Sequence, residues 1–417
     1  MRIITLTPAA ERRLSQIRES RDREAFVIAS KIVEDVGRRS DRALFQWTKQ
    51  LDHVDLAKEG VWVSNKTMSA ARKRISKEFV RAVEHAAANV RRVSEAQMPK
   101  PWSLRAERGV KLSQLVRPID SVGCYIPGGR FALFSTMIMT VVPAQVAGVR
   151  RIVVTCPSVN DEVLATASIL GVEHFARIGG AQAIAALAFG TKRIPRVEKI
   201  FGPGNRFVTA AKQVVSSECA IDLAAGPTEA IVLARSGNAR WIAADLLAQA
   251  EHAPDAGSYL VTPSMRLARQ VQQEVASQLA ALPPTNPART SCQKTGAILL
   301  TRKWKDAIDF VNRFAPEHLS LPENSAPTLN KIHSAGTIFA GPLAAQPFGD
   351  YATGSNHVLP TGGWARRRGG LSIDDFLKRI SVQAIDRAGF LRLANDVRTL
   401  ALAEGLVAHV NAVEVRR

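Results

Sequence analysis

The chain has 417 residues, of which 46% are hydrophobic and 22% are charged. This is the composition of an ordinary folded protein and excludes a largely disordered chain. The 27 glycines and 21 prolines follow no regular period, which excludes a collagen-like chain. Four scattered cysteines cannot form a disulfide framework or a cysteine-rich zinc module, so we expect a reducing, cytoplasmic location.

The net charge of +19 makes nucleic acid a candidate partner. In the first 120 residues, however, charges of both signs are mixed, as in Arg21-Asp-Arg-Glu24, which is typical of exposed helix faces. No basic stretch is interleaved with aromatic residues, so a base-stacking surface is not expected. The sequence therefore predicts no specific nucleic-acid partner.

Residues 131–149 carry no charge over a length that could cross a membrane. This stretch includes Pro143 and several polar residues, and the strand-like Ile152-Val-Val-Thr follows it. A buried helix that leads into a buried strand is the better interpretation. We expect no membrane partner.

In chain order, mixed-charge stretches first predict helices from about residue 9 to 51 and from 67 to 97. Lys111-Leu-Ser-Gln-Leu-Val then predicts a strand. From residue 120 onward apolar runs alternate with helical stretches such as 161–170 and 181–189, which is typical of a parallel sheet with crossover helices. The predicted strands of this part are 122–126, 152–156, 199–201, 230–234, 258–262, 297–300 and 336–340. Residues 372–417 are predicted to form a helical appendage.

Three glycine turns follow predicted strands. Gly202-Pro-Gly204-Asn205 lies between a strand and a helix, where backbone N–H groups can face an anion. It matches only half of the dinucleotide fingerprint, because Phe207 stands where a third glycine is needed, and a plain tight turn is the alternative. Pro127-Gly128-Gly129 and Gly179-Gly180 also follow strands, so we expect a ligand crevice at this sheet edge.

Two further patterns carry possible chemistry. Gln249 and His252 are three residues apart, which places them on one side of a helix. They could bind a metal, or the histidine could cap the helix end. Glu317 and His318 are adjacent and could act as a general acid/base pair, with a surface loop as the alternative.

The segment from Gly349 to His357 is rich in glycine and contains one carboxylate, Asp350. Such loops often line sites, although a simple turn is the alternative. Glu404 and His409 are five residues apart, so their side chains lie about 140° apart on a regular helix. They can serve one site only if the backbone departs from a regular helix, for example at Gly405.

Taken together, these segments resemble the histidinol dehydrogenase family from about residue 25 to 413. The resemblance rests on their order along the chain: Val122-Gly-Cys-Tyr-Ile-Pro-Gly-Gly, Gly179-Gly-Ala-Gln-Ala-Ile-Ala-Ala-Leu-Ala-Phe-Gly, Phe201-Gly-Pro-Gly-Asn, Ala225-Gly-Pro-Thr-Glu, Gln249-Ala-Glu-His, Ala315-Pro-Glu-His-Leu, Gly349-Asp-Tyr and Asn356-His-Val-Leu-Pro-Thr. The family converts L-histidinol, two NAD⁺ and water to L-histidine, the last steps of histidine biosynthesis.

The resemblance implies one zinc ion per subunit that orients the substrate. Its implied ligands are Gln249, His252, Asp350 and His409. Glu317 and His318 resemble the catalytic pair: His318 takes the alcohol proton, and Glu317 activates water against the bound aldehyde.

The resemblance also implies the contacts with L-histidinol and with NAD. The implied substrate-binding residues are Thr228, Gln249, His252, His318, Asp350, Glu404 and His409. The implied cofactor-binding residues are Tyr125, Gln182 and Asn205.

The implied fold is α/β, with two Rossmann-like parallel-sheet domains and small helical N- and C-terminal appendages. The expected boundaries are 1–24 for the N-terminal segment, 25–124 plus 229–371 for a first domain with the metal and acid/base residues, 125–228 for a second domain on the NAD side, and 372–417 for the C-terminal segment. The resemblance further implies a homodimer in which the C-terminal segment crosses to the partner, so that each site takes Glu404 and His409 from the other chain.

Two residues depart from the family pattern. Thr228 stands where a serine is common, and Arg130 follows the Pro-Gly-Gly turn where a small residue is common. Both features also occur in relatives that oxidise other alcohols, such as sulfopropanediol dehydrogenase. A dehydrogenase of another small polar alcohol is therefore the alternative. Tyr351 after the aspartate favours histidinol as the substrate, because sulfopropanediol dehydrogenase tends to carry lysine at this position.

Overall fold

A computed structural model describes residues 1–19, 22–128, 133–223, 226–323 and 326–417. The helices are α1 Pro8–Glu19, α2 Arg23–Arg39, α3 Asp41–Leu51, α4 Leu56–Glu59, α5 Asn65–Arg74, α6 Lys77–Gln97, α7 Phe134–Ala147, α8 Asp161–Ile169, α9 Gly180–Phe189, α10 Arg206–Val215, α11 Ala239–Ala250, α12 Met265–Ala281, α13 Ala288–Lys294, α14 Trp304–Phe314, α15 Ala326–Leu329, α16 Gln346–Tyr351, α17 Arg387–Ala403 and α18 Val407–Glu414. The strands are β1 Arg2–Thr5, β2 Trp62–Val63, β3 Trp102–Glu107, β4 Val110–Pro118, β5 Ser121–Tyr125, β6 Arg151–Thr155, β7 His174–Ala176, β8 Lys199–Phe201, β9 Ala220–Ile221, β10 Glu229–Leu233, β11 Gly257–Thr262, β12 Ala297–Leu300, β13 His318–Leu321, β14 Thr337–Ala340 and β15 Leu377–Ile385.

The first sheet has the strand order β2-β7-β6-β5-β8-β9. Its strands run parallel except for β2, which pairs antiparallel with β7. Helices α6, α7 and α8 bury apolar side chains on one face, and α2, α3, α9 and α10 bury theirs on the other. Apolar side chains on both faces explain why β5 and β6 have nearly continuous apolar sequences.

The second sheet has the order β1-β12-β11-β10-β13-β14, and all its strands are parallel. Helices α11, α12 and α13 cover one face, while α1 and α14 cover the other. Both sheets are thus sandwiched between helices, as the alternation of apolar runs and helical stretches predicts. The α/β fold with two Rossmann-like sheets is confirmed.

The C-terminal segment differs from the predicted helical appendage. Residues Leu377–Ile385 form strand β15, which pairs antiparallel with β4 in a third sheet of order β15-β4-β3. This strand is largely exposed and carries charged residues, so its sequence lacks the apolar run by which the buried strands were found. Helices α17 and α18 follow it, as predicted.

The strand pairing also differs from the expected domain boundaries. β2 and β5 belong to the first sheet, with residues 151–221, and do not join the strands of residues 229–371. The N-terminal segment contributes β1 to the edge of the second sheet. Hydrogen bonds between distant strands decide this grouping, and local sequence patterns do not reveal them. We therefore propose that residues 23–222 form one unit and that β1 joins residues 229–340 in the other.

The apolar stretch around Pro143 forms helix α7, which is buried along its length. It leads through Gly148 into β6, as the sequence predicts. In the described part of the chain, no helix combines the length and the apolar character needed to cross a membrane. The four cysteines are buried and form no disulfide.

The topology brings two sheet edges together. In the first sheet the chain order reverses between β5 and β8, and ligands of such sheets bind beyond the carboxyl ends of the strands at this point. The chain then passes from the end of β9 at Ile221 to the start of β10 at Glu229. This short connection places the carboxyl edge of the first sheet near the amino edge of the second.

Candidate active site

Two glycine turns lie at the carboxyl edge of the first sheet. Tyr125 ends β5, and Gly202 follows β8 directly beside it, so both sit at the reversal point. Gly202 has a φ of 111°, and a side chain there would overlap the Tyr125 carbonyl oxygen. The turn thus requires glycine, and its backbone lies unusually close to β5. The predicted crevice residues are in place, while Gly129 and Arg130 lie outside the described residues.

The predicted cofactor residues surround these turns. The Tyr125 hydroxyl accepts a hydrogen bond of 3.2 Å from the Gly180 N–H. Gln182 is fully buried in the first turn of α9, and its Nε2 donates to Asp52 at 2.9 Å. Its Oε1 is buried with no partner in the described part of the chain. Asn205 caps α10, because its side-chain oxygen accepts from the N–H groups of Phe207 and Val208.

A buried ion pair supports the Gly202 turn from below. Lys212 and Asp222 form this pair, and both side chains are almost completely buried. The Lys212 ammonium donates to the Gly202 carbonyl at 2.9 Å, and the Gly202 N–H donates to Asp222 at 2.7 Å. The pair therefore holds both polar backbone groups of Gly202. Nothing in the sequence pattern indicated this arrangement.

Glu317 and His318 lie at the amino edge of the second sheet, where His318 opens strand β13. Only 7% of Glu317 and 4% of His318 are exposed, so the surface-loop alternative is wrong. The Glu317 Oε2 lies 3.7 Å from the His318 Nδ1. The His318 Nε2 is buried, 4.0 Å from the Asp350 carboxylate, and has no hydrogen-bond partner among the described residues.

Burial shifts both groups toward their neutral forms. Burial raises the pKa of Glu317 to about 7, against hydrogen bonds from the Thr228 hydroxyl and the Glu229 N–H that favour the carboxylate. Burial lowers the pKa of His318 to about 4, against the attraction of Asp350. His318 is therefore a neutral imidazole at neutral pH, and Glu317 can change its protonation state there.

Three polar side chains align Glu317. The Thr228 hydroxyl donates to the Glu317 Oε2 at 2.5 Å and accepts from the Gln249 Nε2 at 2.9 Å. The Gln249 Oε1 in turn accepts from the Gln346 Nε2 at 2.8 Å. All of these bonds have a fixed direction, because a carboxylate only accepts. Thr228 and Gln249, which the sequence predicts in the site, are thus brought together with Glu317.

His252 and Asp350 lie close to this pair. The charges of both residues act on the pKa values of Glu317 and His318. Helix α11 ends at Ala250, and the His252 ring lies beyond it with Nδ1 on the Ala248 carbonyl at 3.0 Å. The ring thus caps the helix and leaves Nε2 available as a ligand, so both predicted roles are compatible.

Asp350 lies in the short helix α16, whose position is fixed from the other half of the molecule. The His357 Nδ1 donates to the Asp350 carbonyl at 2.8 Å. The other ring nitrogen of His357 faces the Thr136 hydroxyl of α7 at 3.4 Å. Asn356 also donates to a carbonyl of α7. The loop therefore ties the second sheet to the first.

Glu404 and His409 remain apart from this group. Helix α17 ends before Glu404, Gly405 has a φ of 75°, and α18 starts at Val407, so the helix breaks where the spacing requires. Both side chains are exposed. Across the described ranges, no hydrogen bond or ion pair joins them to Glu317, His318 or Asp350, and no three His, Cys, Asp or Glu side chains form a metal-binding group.

The donor set still fits a zinc ion. Within one chain His252 offers an imidazole nitrogen and Asp350 a carboxylate, and the Gln249 amide oxygen keeps a second lone pair. A fourth ligand has to come from elsewhere. The features at the first sheet fit a dinucleotide. Among the described residues, the buried Oε1 of Gln182 has no hydrogen-bond partner, and the glycine turns leave room for a ligand to approach the backbone.

His357 lies in the Asn356-His-Val-Leu-Pro-Thr segment, without a predicted role. Asp52, Gln346 and Thr136 were not predicted, and none of them belongs to a motif with recognisable spacing. Only tertiary contacts bring them to the site: Asp52 follows α3, and Thr136 lies in α7. A glutamine just before the Gly349-Asp350 segment was the one available signal.

Comparisons with known proteins show the family of the chain. A family model described as histidinol dehydrogenase matches residues 15–417. The chain is 44% identical to the histidinol dehydrogenase of Halalkalibacterium halodurans over 92% of both chains, and 42% identical to that of Escherichia coli over 92% of this chain and 89% of the relative. A crystal structure of histidinol dehydrogenase from Elizabethkingia anophelis superposes with a TM-score of 0.94 at 36% identity, over 100% of this chain and 98% of that one. The chain belongs to the histidinol dehydrogenase family of oxidoreductases.

Proposed function

We propose that this protein oxidises L-histidinol to L-histidine through L-histidinaldehyde, in two NAD-linked steps. One observation carries the proposal. A buried carboxylic acid and a neutral imidazole lie side by side, and the free Nε2 of the imidazole faces the candidate ligand Asp350. These are the groups that an alcohol-to-acid oxidation needs.

His318 serves as the base for the alcohol. Its Nε2 has no hydrogen-bond partner in the part of the chain that the structure describes, and its lowered pKa keeps the ring neutral before the reaction. When the carbinol carbon loses hydride to NAD⁺, the hydroxyl proton passes to Nε2. The nearby Asp350 carboxylate stabilises the imidazolium that forms.

Glu317 serves as the base for water. As a carboxylate it takes one proton from a water molecule that attacks the aldehyde carbon, while the aldehyde oxygen takes back the proton held by His318, which gives the hydrate and restores the neutral imidazole. A second hydride then passes from the hydrate to NAD⁺ and a hydroxyl proton passes to His318, which gives the acid. The donor from Thr228 holds one carboxylate oxygen, so the other is oriented for this proton transfer.

Gln249, His252 and Asp350, with the partner subunit's His409, would hold one zinc ion per subunit. Bound zinc would supply a Lewis-acid centre that orients the substrate. Thr228 and Glu404 are the further proposed substrate contacts. Thr228 keeps the hydroxyl that a serine would provide.

The proposed NAD contacts are Tyr125, Gln182 and Asn205. Their place beside the strand-order reversal of the first sheet supports this role. NAD would supply the hydride acceptor for both steps.

The exposed C-terminal segment supports a homodimer with shared sites. Leu391, Leu400, Val407 and Val415 are each more than half exposed, and contact with a second copy would remove such apolar side chains from water. His409 lies on the same segment, is exposed, and belongs to no cluster of three His, Cys, Asp or Glu side chains among the residues that the structure describes. Crossing of this segment to the partner would bring His409 and Glu404 to the other site.

The experiment that tests the function counts NADH per L-histidinol consumed. We expect two NADH per histidinol, loss of activity with a chelator, and recovery with zinc. Activity on a sulfonated diol and none on histidinol would overturn the substrate. A folded, zinc-loaded protein that reduces no NAD⁺ with any alcohol would overturn the proposed function as a whole.

A further inference from the structure

The carboxamide of Gln182 is held in one orientation by a residue outside the motifs. Its Nε2 donates to the Asp52 carboxylate at 2.9 Å. A carboxylate only accepts hydrogen bonds, so the amide is satisfied only with its nitrogen toward Asp52. The oxygen, Oε1, therefore has to face the other way.

The position of Asp52 is itself well determined. Helix α3 ends at Leu51, and the Asp52 N–H closes the helix on the Thr48 carbonyl. His53 then has a left-handed φ of 58°, which turns the chain away. The Asp52 carboxylate also accepts from the Gly179 N–H. It therefore binds both the backbone just before α9 and the side chain of Gln182 in the first turn of that helix.

The Oε1 of Gln182 lies at the Gly179-Gly180 turn of the proposed cofactor crevice. An added side chain on Gly180 would come within 2.5 Å of the Gln182 Oε1, so this turn is open only because Gly180 has no Cβ. Oε1 has no partner among the described residues although it is buried. A buried acceptor without a donor is costly, and a ligand that brings an N–H or O–H recovers that cost.

We propose that Asp52 is a positioning residue that holds the Gln182 carboxamide with its oxygen toward the cofactor crevice, where this oxygen accepts a hydrogen bond from an N–H or O–H of the bound dinucleotide. The inference rests on the proposed use of NAD. It goes further in assigning a role to Asp52 and in requiring a donor, not a phosphate, at this point of the cofactor.

The test measures NADH binding to the purified, metal-loaded protein by fluorescence titration without histidinol. The variants are Asp52→Ala, Asp52→Asn, Gln182→Ala and the double variant Asp52→Ala/Gln182→Ala. Asp55→Ala is the matched control, because Asp55 lies in the same loop and also accepts from a backbone N–H but does not contact Gln182.

We expect Asp52→Ala and Gln182→Ala each to raise the Kd for NADH about tenfold, the effect of losing roughly one hydrogen bond. In the double variant the Kd for NADH should also rise about tenfold and not a hundredfold, because the two residues act as a unit. Asp52→Asn keeps an acceptor oxygen, so its Kd for NADH should rise about threefold or less. The KM for histidinol at saturating NAD should stay within about twofold of wild type, since Asp52 does not contact the acid/base pair.

An Asp52→Ala protein that binds NADH as tightly as Asp55→Ala would overturn the role of Asp52, and so would additive losses in the double variant. If Asp52→Ala does not fold, Asp52→Leu and the partial rescue by Asp52→Asn decide the question. Wild-type protein that oxidises histidinol while Asp52→Ala binds NADH normally refutes only this inference. Wild-type protein that binds no NADH refutes the proposed function with it.

Discussion

Hydrogen bonds around Glu317 run in one direction, from Gln346 through Gln249 and Thr228 to the carboxylate. Thr228 is the last member before the carboxylate, because its hydroxyl accepts from Gln249 and donates to Glu317. Its hydroxyl favours the ionised form of Glu317 and so works against the effect of burial.

Thr228→Val should lower kcat/KM about tenfold to a hundredfold, since a hydrogen bond to a charged group is worth about 1.5–3 kcal/mol. The methyl group of valine replaces the hydroxyl at nearly constant volume, which removes one hydrogen bond from Glu317 and one from Gln249. Steady-state kinetics with L-histidinol measure the effect. Thr228→Ser keeps the hydroxyl and is the matched control. A valine variant within twofold of wild type would show that the bond plays no part.

The pKa of Glu317 predicts a pH dependence. Burial raises this pKa to about 7, so below that pH the group is protonated and cannot take a proton from water. We expect kcat/KM to rise with pH and level off above about pH 7, with the rise moved to lower pH by any bound cation, which favours the carboxylate. His318 adds no second rise above about pH 5, since its pKa is lowered to about 4.

Initial rates across this range measure the profile. Thr228→Val should move the rise to higher pH, because it removes a donor that stabilises the carboxylate. A flat wild-type profile between about pH 5.5 and 8 would contradict the assignment of Glu317 as the base.

At the scale of elements, the ion pair between α10 and the chain after β9 fixes the Gly202 turn. Lys212→Met would leave the Asp222 carboxylate buried without its cation, which costs about 3–5 kcal/mol in similar cases. We therefore expect a large drop in the urea midpoint of unfolding. Lys199→Met is the control, because the Lys199–Asp375 pair is partly exposed and its loss should cost less. Equal losses in the two variants would contradict the special role of the buried pair.

The elements that sequence patterns predict well are those buried on both faces. Strands β5, β6, β11 and β12 have apolar runs because helices cover them on each side. β15 was missed because it is exposed and pairs only with a distant strand, β4. Strand β13 was missed although it is buried, because its sequence His318-Leu-Ser-Leu alternates polar and apolar residues and forms no apolar run.

The residues of the candidate site also fall into a group that the sequence predicted and a group that it did not. Glu317, His318 and Gln249 stand in motifs whose order along the chain carries the resemblance, and the structure brings them together. Asp52 and Gln346 reach the site only through tertiary packing, with no spacing in the sequence to show it. Motifs therefore pointed to the residues of the proposed acid/base pair, whereas the residues that contact and orient them became visible only in the fold.

At the scale of the whole molecule, each of the two large sheets contributes a different part of the proposed active site. The carboxyl edge of the first sheet presents the glycine turns, and the amino edge of the second presents the proposed acid/base pair. The loop from Asp350 to His357 joins the two through α7. One chain nevertheless keeps His409 exposed and away from His252 and Asp350, so the proposed site is complete only in a dimer.

The most direct test uses a dimer built from two inactive chains. One chain carries His409→Ala and the other Glu317→Gln, each with its own affinity tag, and purification through both tags isolates the mixed dimer. One of its two sites then combines an intact Glu317 with the intact His409 of the partner subunit. We expect about half the wild-type rate of NADH formation from L-histidinol, while either variant alone is nearly inactive. A mixed dimer no more active than the two single variants would contradict the shared site.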